Sequence, residues 1–481
     1  MNIMFIAIMI YGIAMLPSLI MAIRYEEVGV YKCMYTLSAL CIFFGFIGYR
    51  FLPNNLVNVK LRVCYMTTIL TWLLLIFLSA LPYYTSGMHY SFIDCLFEST
   101  ASWTTTGASA IVNSTLPIGL KLWRSTCNWM GGIGIILLTL TFLPSWQFVG
   151  HRLATTEVRG PSFLMSTITF RKAYRRILFI YLGITLLQYV LLRIAGMPQL
   201  SSLLTALSNT STSGLQHLNN GVITYLSTPV KVIITVFAFI GSVNVSVLVS
   251  LLIGRFSVLK RNSEIKMYLL EIALVSLVIA ASLAIIDKSG SFLSSLGDSV
   301  MQVISFASTA GYIIVPCSNW NSLAISLIIF ISLLGACAIS TGGGLKMARV
   351  VYAFKTLSNT IYSHLHPRSI RTITYNGQPT KTENITRSCM YIALFMVTLV
   401  LGGLLLTADG TDLYTAISYS QAMISNVGSP ITELADPGIV AGVSSFNKSV
   451  MSLLMLCGRL EIYPVLMIFS LNFWSGDINK K

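Results

Sequence analysis

Four short stretches of this chain of 481 residues combine small or polar residues with one glycine. They read Thr105-Thr106-Gly107, Thr212-Ser213-Gly214, Thr309-Ala310-Gly311 and Asn426-Val427-Gly428. The glycines lie 107, 97 and 117 residues apart, and each stretch lies between two apolar segments. Recurrence at a fixed place in the architecture indicates an internal repeat, which is a stronger signal than any single copy.

These residue types suit the binding of a dehydrated cation. Such an ion needs a cage of oxygens to replace its water, and four loops around a pseudo-fourfold axis can supply backbone carbonyls. Glycine permits the positive φ that such a loop requires and lets four chains approach closely. Hydroxyl and amide side chains can bond to backbone groups that a membrane would leave without partners. The alternative is that the loops only fill space between helices.

The segments that must position these loops are membrane-spanning helices. The chain is 55% hydrophobic and 10% charged, with a mean hydropathy of +0.77, whereas soluble domains carry about 25% charged residues. This composition predicts a polytopic membrane protein. Ten apolar segments are predicted to span the membrane, near residues 2–22, 33–50, 64–83, 118–145, 173–195, 227–253, 267–286, 320–345, 387–407 and 444–471.

The last eight segments form four pairs, and each pair encloses a shorter, half-polar segment that suits a re-entrant half-helix and loop. These segments are 91–108, 200–215, 293–312 and 411–429. The predicted fold is therefore all-α, with ten transmembrane helices: four helix–pore-loop–helix repeats in a pseudo-fourfold arrangement and two extra N-terminal helices. The expected units are 1–62 for the N-terminal helices and 63–150, 151–262, 263–355 and 356–481 for the repeats.

The net charge of +15 is distributed as in a membrane protein rather than a nucleic-acid-binding one. Lys and Arg concentrate in the connections 146–176, 254–266 and 346–387, which marks these as cytoplasmic. Both termini are then predicted inside the cell, and the half-polar segments enter from outside. Binding to anionic lipid or to a partner is a second possibility for the basic face. Acids near the half-helices could enrich cations at the outer mouth or cap these helices: Asp94, Glu98, Asp298 and Asp412.

Two further features lie within apolar segments. Ser340-Thr341-Gly342-Gly343-Gly344 interrupts one near its cytoplasmic half, where a broken helix is tolerated only if it lines a cavity or faces protein. Close packing between helices is the main alternative explanation of these glycines. A phosphate-binding loop is disfavoured, because the segment lacks the ending of that motif and a preceding strand. Arg459 lies in the last segment, where a charge is costly and indicates function by default. It could instead anchor the segment by bonding to loop carbonyls. No nucleophile–base or metal motif is found within a span, so an enzyme is not predicted.

The chain resembles the Trk/Ktr/HKT superfamily of potassium transporters, and within it the Trk-type, TrkH-like pore subunits. Besides the four glycine stretches, the resemblance rests on "NWMGGIGIILL" (128–138), "CAISTGGGLKMARV" (337–350) and "GRLEIYPVL" (458–466), and it covers residues 1–475. It implies K⁺ uptake across the cytoplasmic membrane of a prokaryote through a selectivity filter made by the four stretches. It also implies that residues 340–344 and Arg459 gate the path beneath that filter.

The resemblance has further implications for ion and partners. K⁺ is the transported ion, and no cofactor is bound by this chain. A cytosolic nucleotide-binding, TrkA-like regulator would dock on a basic face that includes Arg171, Lys172, Arg175 and Arg176, and relatives form homodimers. Ser213 and Ala310 depart from the pattern of relatives, which leaves a less selective K⁺/Na⁺ pore or a proton- or sodium-coupled symporter as the alternative. The intact Gly107 favours K⁺.

Overall fold

The computed structural model describes residues 2–51, 61–113, 115–142, 169–215, 227–286, 291–317, 320–368, 372–428 and 439–469. Within these ranges the chain is built from α-helices. The β-structure in the described part is one hairpin of two-residue antiparallel strands, β1 (Thr374–Tyr375) and β2 (Gln378–Pro379). The predicted helical class is confirmed.

The N-terminal unit consists of three helices, and two of them cross in close contact. It contains α1 (Asn2–Ala14), α2 (Leu16–Arg24) and α3 (Val28–Phe51). A Cβ added to Gly45 of α3 would lie 2.8 Å from the backbone nitrogen of Met9 in α1. Small residues at such a crossing let two membrane helices approach to backbone contact.

The rest of the described chain repeats one order of elements: a long helix, a short helix, a loop and a further helix or broken helix. The first group contains α4 (Leu61–Tyr84), α5 (Phe92–Trp103) and α6 (Ile118–Phe142). The second contains α7 (Thr169–Ile194), α8 (Gln199–Thr210), α9 (Thr228–Ser242) and α10 (Val245–Leu252). The third contains α11 (Ser257–Arg261), α12 (Ser263–Ile286), α13 (Phe292–Ala307), α14 (Ser322–Leu334) and α15 (Met347–Leu365). The fourth contains α16 (Thr382–Thr407), α17 (Leu413–Ile424), a 3₁₀ turn (Ile439–Gly442), α18 (Ser445–Arg459) and α19 (Ile462–Phe469).

Helices occupy the positions of all ten predicted spans, but they differ in length. Among the described residues, six helical segments are long and apolar enough to cross a membrane when α1 and α2 are taken together as Met4–Arg24, or seven if α9 and α10, bent by 105°, form one span. The segments predicted near 320–345 and 444–471 are broken, after Leu334 and after Arg459. The number of ten spans and the boundaries of the repeats therefore stay predictions.

The distribution of polarity suits a lipid solvent. Large apolar side chains are exposed on the outward faces of the long helices, including Phe43 and Phe46 on α3 and Leu401 and Leu404 on α16. The interior instead holds many buried hydroxyl and amide side chains around the ends of the short helices. A soluble protein shows the reverse preference, because it hides apolar surface from water.

Three of the four short helices begin at a side-chain cap. The hydroxyls of Ser91 and Ser291 accept hydrogen bonds from the backbone N–H groups of Asp94 and Ser294, at 3.1 Å and 3.4 Å. The carboxylate of Asp412 accepts one from the N–H of Thr415 at 3.1 Å. These caps fix the residues at which α5, α13 and α17 begin, which helps to define where the loops at their other ends lie.

Candidate cation site

Each of the short helices α5, α8, α13 and α17 ends in the same left-handed turn. The second residue after the helix has a φ of 54° at Thr105, 55° at Thr212, 60° at Thr309 and 53° at Asn426. Helices commonly end in this way with glycine or asparagine, but a β-branched residue at positive φ is rare. Such a conformation costs of order 1–3 kcal/mol and persists only where the surroundings fix it. Three threonines in the same strained position indicate that these turns serve a function.

The backbone N–H groups of the turns bond back to their own helices. Thr106 donates to the carbonyl of Ala101 at 2.9 Å, and Val427 donates to that of Ala422 at 3.0 Å. Ser213 makes the equivalent bond at 3.0 Å, to the carbonyl of Ser208. Because these N–H groups are satisfied within the helix end, the carbonyl oxygens of the turns stay available for other partners.

The third turn departs from this pattern. The N–H of Ala310 donates instead to the Ser308 hydroxyl at 3.4 Å, and the N–H of Gly311 reaches the carbonyl of Ser305 at 3.0 Å. The four turns are therefore equivalent in backbone direction but not identical in hydrogen bonding.

The four turns form a closed ring, here called the loop ring (residues 105–107, 212–214, 309–311 and 426–428). Each glycine faces the carbonyl oxygen of the residue that precedes the glycine in the next turn. The distance from a Cβ built on the glycine to that oxygen measures how close the neighbouring turns are. It is 1.7 Å from Gly107 to Ser213, 1.4 Å from Gly214 to Ala310, 1.7 Å from Gly311 to Val427 and 3.0 Å from Gly428 to Thr106. All four glycines also have positive φ, between 62° and 102°. The sequence-predicted residues are thus brought together. Glycine is required by space at Gly107, Gly214 and Gly311, and by backbone conformation at all four positions.

The segment between α14 and α15 lies against one side of the loop ring, and we call residues 335–346 the glycine-rich loop. A Cβ on Gly342 would lie 2.9 Å from the carbonyl oxygen of Ser308, and one on Gly343 would lie 2.2 Å from that of Ser425. The N–H of Gly343 donates to the Thr309 hydroxyl at 2.7 Å. These contacts are with the residues that end α13 and α17, so the glycine-rich loop lies on the helix-end side of the ring.

The hydroxyl of Thr341 extends these contacts to the second group of helices. It donates to the carbonyl of Gly241 in α9 at 3.0 Å and lies 3.3 Å from the hydroxyl of Thr212. The Lys346 ammonium donates to the carbonyl of Gly342 and so closes the loop on itself. The glycine-rich loop therefore touches three of the four turns directly.

Arg459 connects the glycine-rich loop to the remaining group. Its guanidinium is buried and donates to the carbonyl of Thr341 at 2.6 Å and to that of Gly131 in α6 at 2.8 Å. A Cβ on Gly131 would lie 2.1 Å from the carbonyl of Trp103, at the end of α5. Arg459 thus bonds to one carbonyl of the glycine-rich loop and to one of α6, and these contacts agree with both interpretations of this residue.

Glu461 pairs with an arginine on a different helix. Its carboxylate accepts a hydrogen bond from the Arg349 guanidinium, which also stacks 3.7 Å from the centre of the Tyr391 ring. Glu461 lies at the break between α18 and α19 and has a φ of 68°. Arg349 lies in the first turn of α15, directly after the glycine-rich loop, so this pair ties that loop to the broken last segment.

The sequence left two interpretations of the four acids open, enrichment of cations at the outer mouth and capping of the half-helices. Glu98 is fully buried and forms an ion pair with Arg124 at 2.6 Å. Asp94 is paired with Lys448. Asp412 caps α17, and hydrogen bonds from the hydroxyl and N–H of Thr415 lower the pKa of its carboxyl. Asp298 is half-buried and caps no helix. Helix capping and ion pairing, rather than ion capture, explain three of the four.

Glu98 has a role that the sequence did not reveal, and it shares this role with Gln302, which was not predicted as a site residue. Each lies nine positions before the glycine of its turn. Glu98 accepts a hydrogen bond from the N–H of Ala110 at 3.0 Å, and Gln302 accepts one from the N–H of Ile314 at 3.0 Å. Both acceptors thus hold the chain three residues beyond the glycine, on the side of the ring opposite the glycine-rich loop. A polar residue at the same offset in two repeats was the signal that could have revealed them.

The described residues contain no group of three or more His, Cys, Asp or Glu side chains able to hold a metal ion. The oxygens concentrated at the site are instead backbone carbonyls and hydroxyls, which suit a hard monovalent cation that exchanges its hydration shell.

The apolar helices and the polar, glycine-closed centre define a multi-pass membrane protein of the cation-transport class. The chain matches the TrkH family, described as cation transport protein, over residues 36–481. This match covers most of the sequence, and the protein belongs to the TrkH family. The resemblance inferred from the sequence motifs is thereby confirmed.

Individual relatives extend over nearly the whole chain. The Trk system potassium uptake protein TrkG of Escherichia coli is 29% identical over 486 residues, covering 97% of this chain and 96% of its own. The Trk system potassium uptake protein TrkI of Halomonas elongata is 29% identical over 422 residues, covering 87% and 85%. The crystal structure of the potassium transporter TrkH from Vibrio parahaemolyticus superposes with a TM-score of 0.86 at 24% identity, covering 98% of this chain and all of that one. The last likeness establishes the fold.

Proposed function

We propose that this protein takes up K⁺ across the cytoplasmic membrane of a prokaryote, with the loop ring as its selectivity filter. The observation that supports this most strongly is the closed cycle of glycine–carbonyl contacts among the four turns. A closed ring of backbone carbonyls is the structure that replaces the water of a cation passing along an axis. The relatives TrkG and TrkI are named as potassium uptake proteins, which favours K⁺ as the ion.

In this proposal the ion contacts backbone oxygens of the loop ring. Thr105, Thr212, Thr309 and Asn426 begin the filter at the helix ends, where the negative ends of four helix dipoles favour a cation. The next oxygens come from the two residues that follow in each turn. These are the middle residues Thr106, Ser213, Ala310 and Val427 and the glycines Gly107, Gly214, Gly311 and Gly428. K⁺ is cargo, and the mechanism needs no resident cofactor.

We further propose that Ser340, Thr341, Gly342, Gly343 and Gly344 form a gate. These residues lie against the helix-end side of the ring, so an ion leaving the filter would meet them. Arg459 would hold the gate in place through the carbonyl of Thr341 and would repel cations by its charge. Opening then requires the glycine-rich loop to leave its partners on α9, α13 and α17.

The partners and orientation follow from the charge pattern and from the family. The basic connections favour a cytoplasmic position for both termini. A cytosolic nucleotide-binding, TrkA-like regulator would dock on the basic face that includes the exposed Arg175 and Arg176. The side chains of Arg171 and Lys172, in the same predicted surface, lie outside the described residues. A homodimer with one pore in each protomer completes the proposal.

One observation favours the alternative of a less selective K⁺/Na⁺ pore. The turn of Ala310 lacks the regular hydrogen bond to its helix, so its carbonyl is held less uniformly than the other three. A coupled symporter would differ by showing flux driven by a proton or sodium gradient.

The test is uptake of ⁸⁶Rb⁺ into proteoliposomes, competed by K⁺ and by Na⁺, for wild type and for Gly214→Ser. The serine side chain would meet the carbonyl of Ala310, so uptake should be lost. Gly183→Ala is the matched control, because no atom lies within 4 Å of a Cβ at this position and uptake should persist.

The same measurement in an Arg459→Ala background keeps the test informative if a missing regulator holds the gate closed. Uptake blocked by K⁺ but not Na⁺ supports the proposal. Equal competition by Na⁺ favours the less selective pore. Uptake that survives Gly214→Ser in both backgrounds contradicts a filter at the loop ring.

A further inference from the structure

A groove of about 410 Å³ opens at the end of α12 that carries the basic connection 254–266. It is bounded by the first turns of α12, by the middle of α15 and by the chain leading into β1. Because the adjoining connections are rich in Lys and Arg, this end faces the cytoplasm. α12 is itself a candidate span from its first residue, Ser263, so the groove lies at the inner membrane surface.

The walls of the groove are held together by specific contacts. The Lys355 ammonium donates to the carbonyl of Thr374 at 2.6 Å, and Tyr352 stacks on Tyr375 with ring centres 4.8 Å apart. The N–H of Ser263 donates to the side-chain oxygen of Asn376 at 2.7 Å. The hairpin is thus fixed to both helices, and the groove is a formed site rather than a gap between surface side chains.

The lining of the groove is complementary to a molecule with a phosphate head group and an apolar tail. Two lysines, Lys266 and Lys355, line the groove, and none of its described lining residues is acidic. Burial lowers the pKa of Lys355, and a bound anion beside this side chain would stabilise its charged form. Leu270 and Phe354 on the rim are 52% and 58% exposed and would face acyl chains.

One buried polar atom lacks a partner in the same place. Asn359 lines the groove, and its buried side-chain oxygen has no hydrogen-bond partner among the described residues. An acceptor left unpaired costs about 1–3 kcal/mol, so a donor from a bound molecule would be favoured there. A head group with free hydroxyls supplies such a donor, whereas a fully ionised phosphate has only acceptor oxygens.

We propose that this groove binds phosphatidylglycerol, an anionic phospholipid with a hydroxylated head group, from the inner leaflet. The phosphodiester lies between Lys266 and Lys355, a glycerol hydroxyl donates to Asn359, and the acyl chains lie along Leu270 and Phe354. Basic pockets between membrane helices on the cytoplasmic side are sites of this kind. The binding does not depend on which cation is transported.

The groove is also connected to the glycine-rich loop, since Lys355 and Asn359 lie on α15, which begins at the end of that loop. A lipid bound to this arrangement of α12 and α15 favours the conformation in which the groove exists. Bound phosphatidylglycerol therefore also stabilises the protein against thermal unfolding.

The test is native mass spectrometry of the full-length protein, delipidated and titrated with phosphatidylglycerol, phosphatidylethanolamine or phosphatidic acid. The groove variant is Lys266→Gln/Lys355→Gln, and Lys260→Gln/Lys381→Gln is the control, because it removes the same charge from exposed lysines outside the groove. We expect the groove variant to lose roughly 30-fold in affinity for phosphatidylglycerol, about fivefold for each lysine, with little change in the control. Asn359→Leu should reduce the preference for phosphatidylglycerol over phosphatidic acid.

Three outcomes would overturn the proposal. Equal losses in the groove and control variants would mean that only the general basic charge attracts lipid. Equal binding of phosphatidylethanolamine would remove the requirement for an anion. Protection against thermal unfolding by millimolar inorganic phosphate as strong as that by the lipid would assign the groove to a free phosphate instead.

Discussion

The guanidinium of Arg459 donates a hydrogen bond of 2.6 Å to the carbonyl oxygen of Thr341, across 118 positions of sequence. Its second bond, of 2.8 Å, goes to Gly131, which packs against the end of α5. One buried cation thus joins the glycine-rich loop to the first repeat. The loop reaches the other three repeats by its own contacts, so all four sides of the ring are connected through it.

Removing this cation should release the glycine-rich loop. Hydrogen bonds to a charged group contribute about 1.5–3 kcal/mol each, so Arg459→Ala should raise ⁸⁶Rb⁺ flux without a regulator by roughly 10-fold or more. Arg459→Lys should have an intermediate effect, because an ammonium cannot reproduce the planar fork that reaches two carbonyls. Flux into proteoliposomes measures both.

Thr341→Val serves as a second variant that leaves Arg459 in place. It removes the hydroxyl that donates to Gly241 at 3.0 Å and should raise flux by a smaller factor. Arg387→Ala, an exposed arginine on α16, is the control and should leave flux unchanged. Unaltered flux in well-folded Arg459→Ala protein would show that the loop does not gate.

The four filter glycines should not be equally sensitive to substitution. A Cβ on Gly107, Gly214 or Gly311 would lie 1.7 Å or less from a carbonyl oxygen, whereas one on Gly428 would lie 3.0 Å from it. Alanine at the first three positions must displace a neighbouring turn, at a cost of about 3 kcal/mol or more and roughly a 100-fold loss of flux. Gly428→Ala should lose less, and equal losses at all four positions would contradict the asymmetry of the ring.

The sequence was sufficient to predict which glycines and neighbouring threonines belong to the four stretches, because repetition at one architectural place identifies them. The positive φ of the threonines was not predicted, since the sequence suggested it for the glycines alone. The order in which the turns contact each other could not be read from it, since the contact of Gly214 with Ala310 is a tertiary relationship between repeats. The broken last helix was also missed: residues 444–471 were predicted as one span, although "GRLEIYPVL" holds two charges and a proline. The partner of Glu461 at the break, Arg349, lies 112 positions away in sequence. The role of Glu98 was misjudged because a single acid beside a loop gives no sign of its distant partner Arg124.

The buried pair of Glu98 and Arg124 has an uncharged counterpart in the third repeat. Gln302 corresponds to Glu98, and Ile328 has the same place in α14 as Arg124 has in α6, seventh from the start of the helix. Glu98→Gln alone should destabilise the protein by about 3–5 kcal/mol, because it leaves Arg124 buried without its counter-charge. Glu98→Gln/Arg124→Ile recreates the pair of the third repeat and should recover most of that loss.

Thermal unfolding in detergent measures this recovery. Arg124→Ile alone is the complementary control, and it should be as damaging as Glu98→Gln because it leaves Glu98 unpaired. A double variant that is less stable than both single variants would mean that the charge itself, rather than the hydrogen bond to Ala110, holds this part of the first repeat.

The pair of Arg349 and Glu461 is the last contact between the gate and the broken helix that can be tested by reversing charge. Its side chains are 23% and 39% exposed, so solvent screens the attraction and we expect a coupling below about 1 kcal/mol. Arg349→Glu should raise ⁸⁶Rb⁺ flux a few-fold, because it places two carboxylates side by side and frees the first turn of α15. Arg349→Glu/Glu461→Arg should restore part of the pairing and lower the flux again, although the stacking of Arg349 on Tyr391 is lost.

The control is the same charge reversal of Glu383 and Arg387, a pair on one helix whose side chains are 60% and 50% exposed, and it should leave the flux unchanged. If the double reversal at Arg349 and Glu461 conducts as much as the single one, the pair does not hold the gate, and the strained backbone at Glu461 must be maintained by the surrounding helices alone.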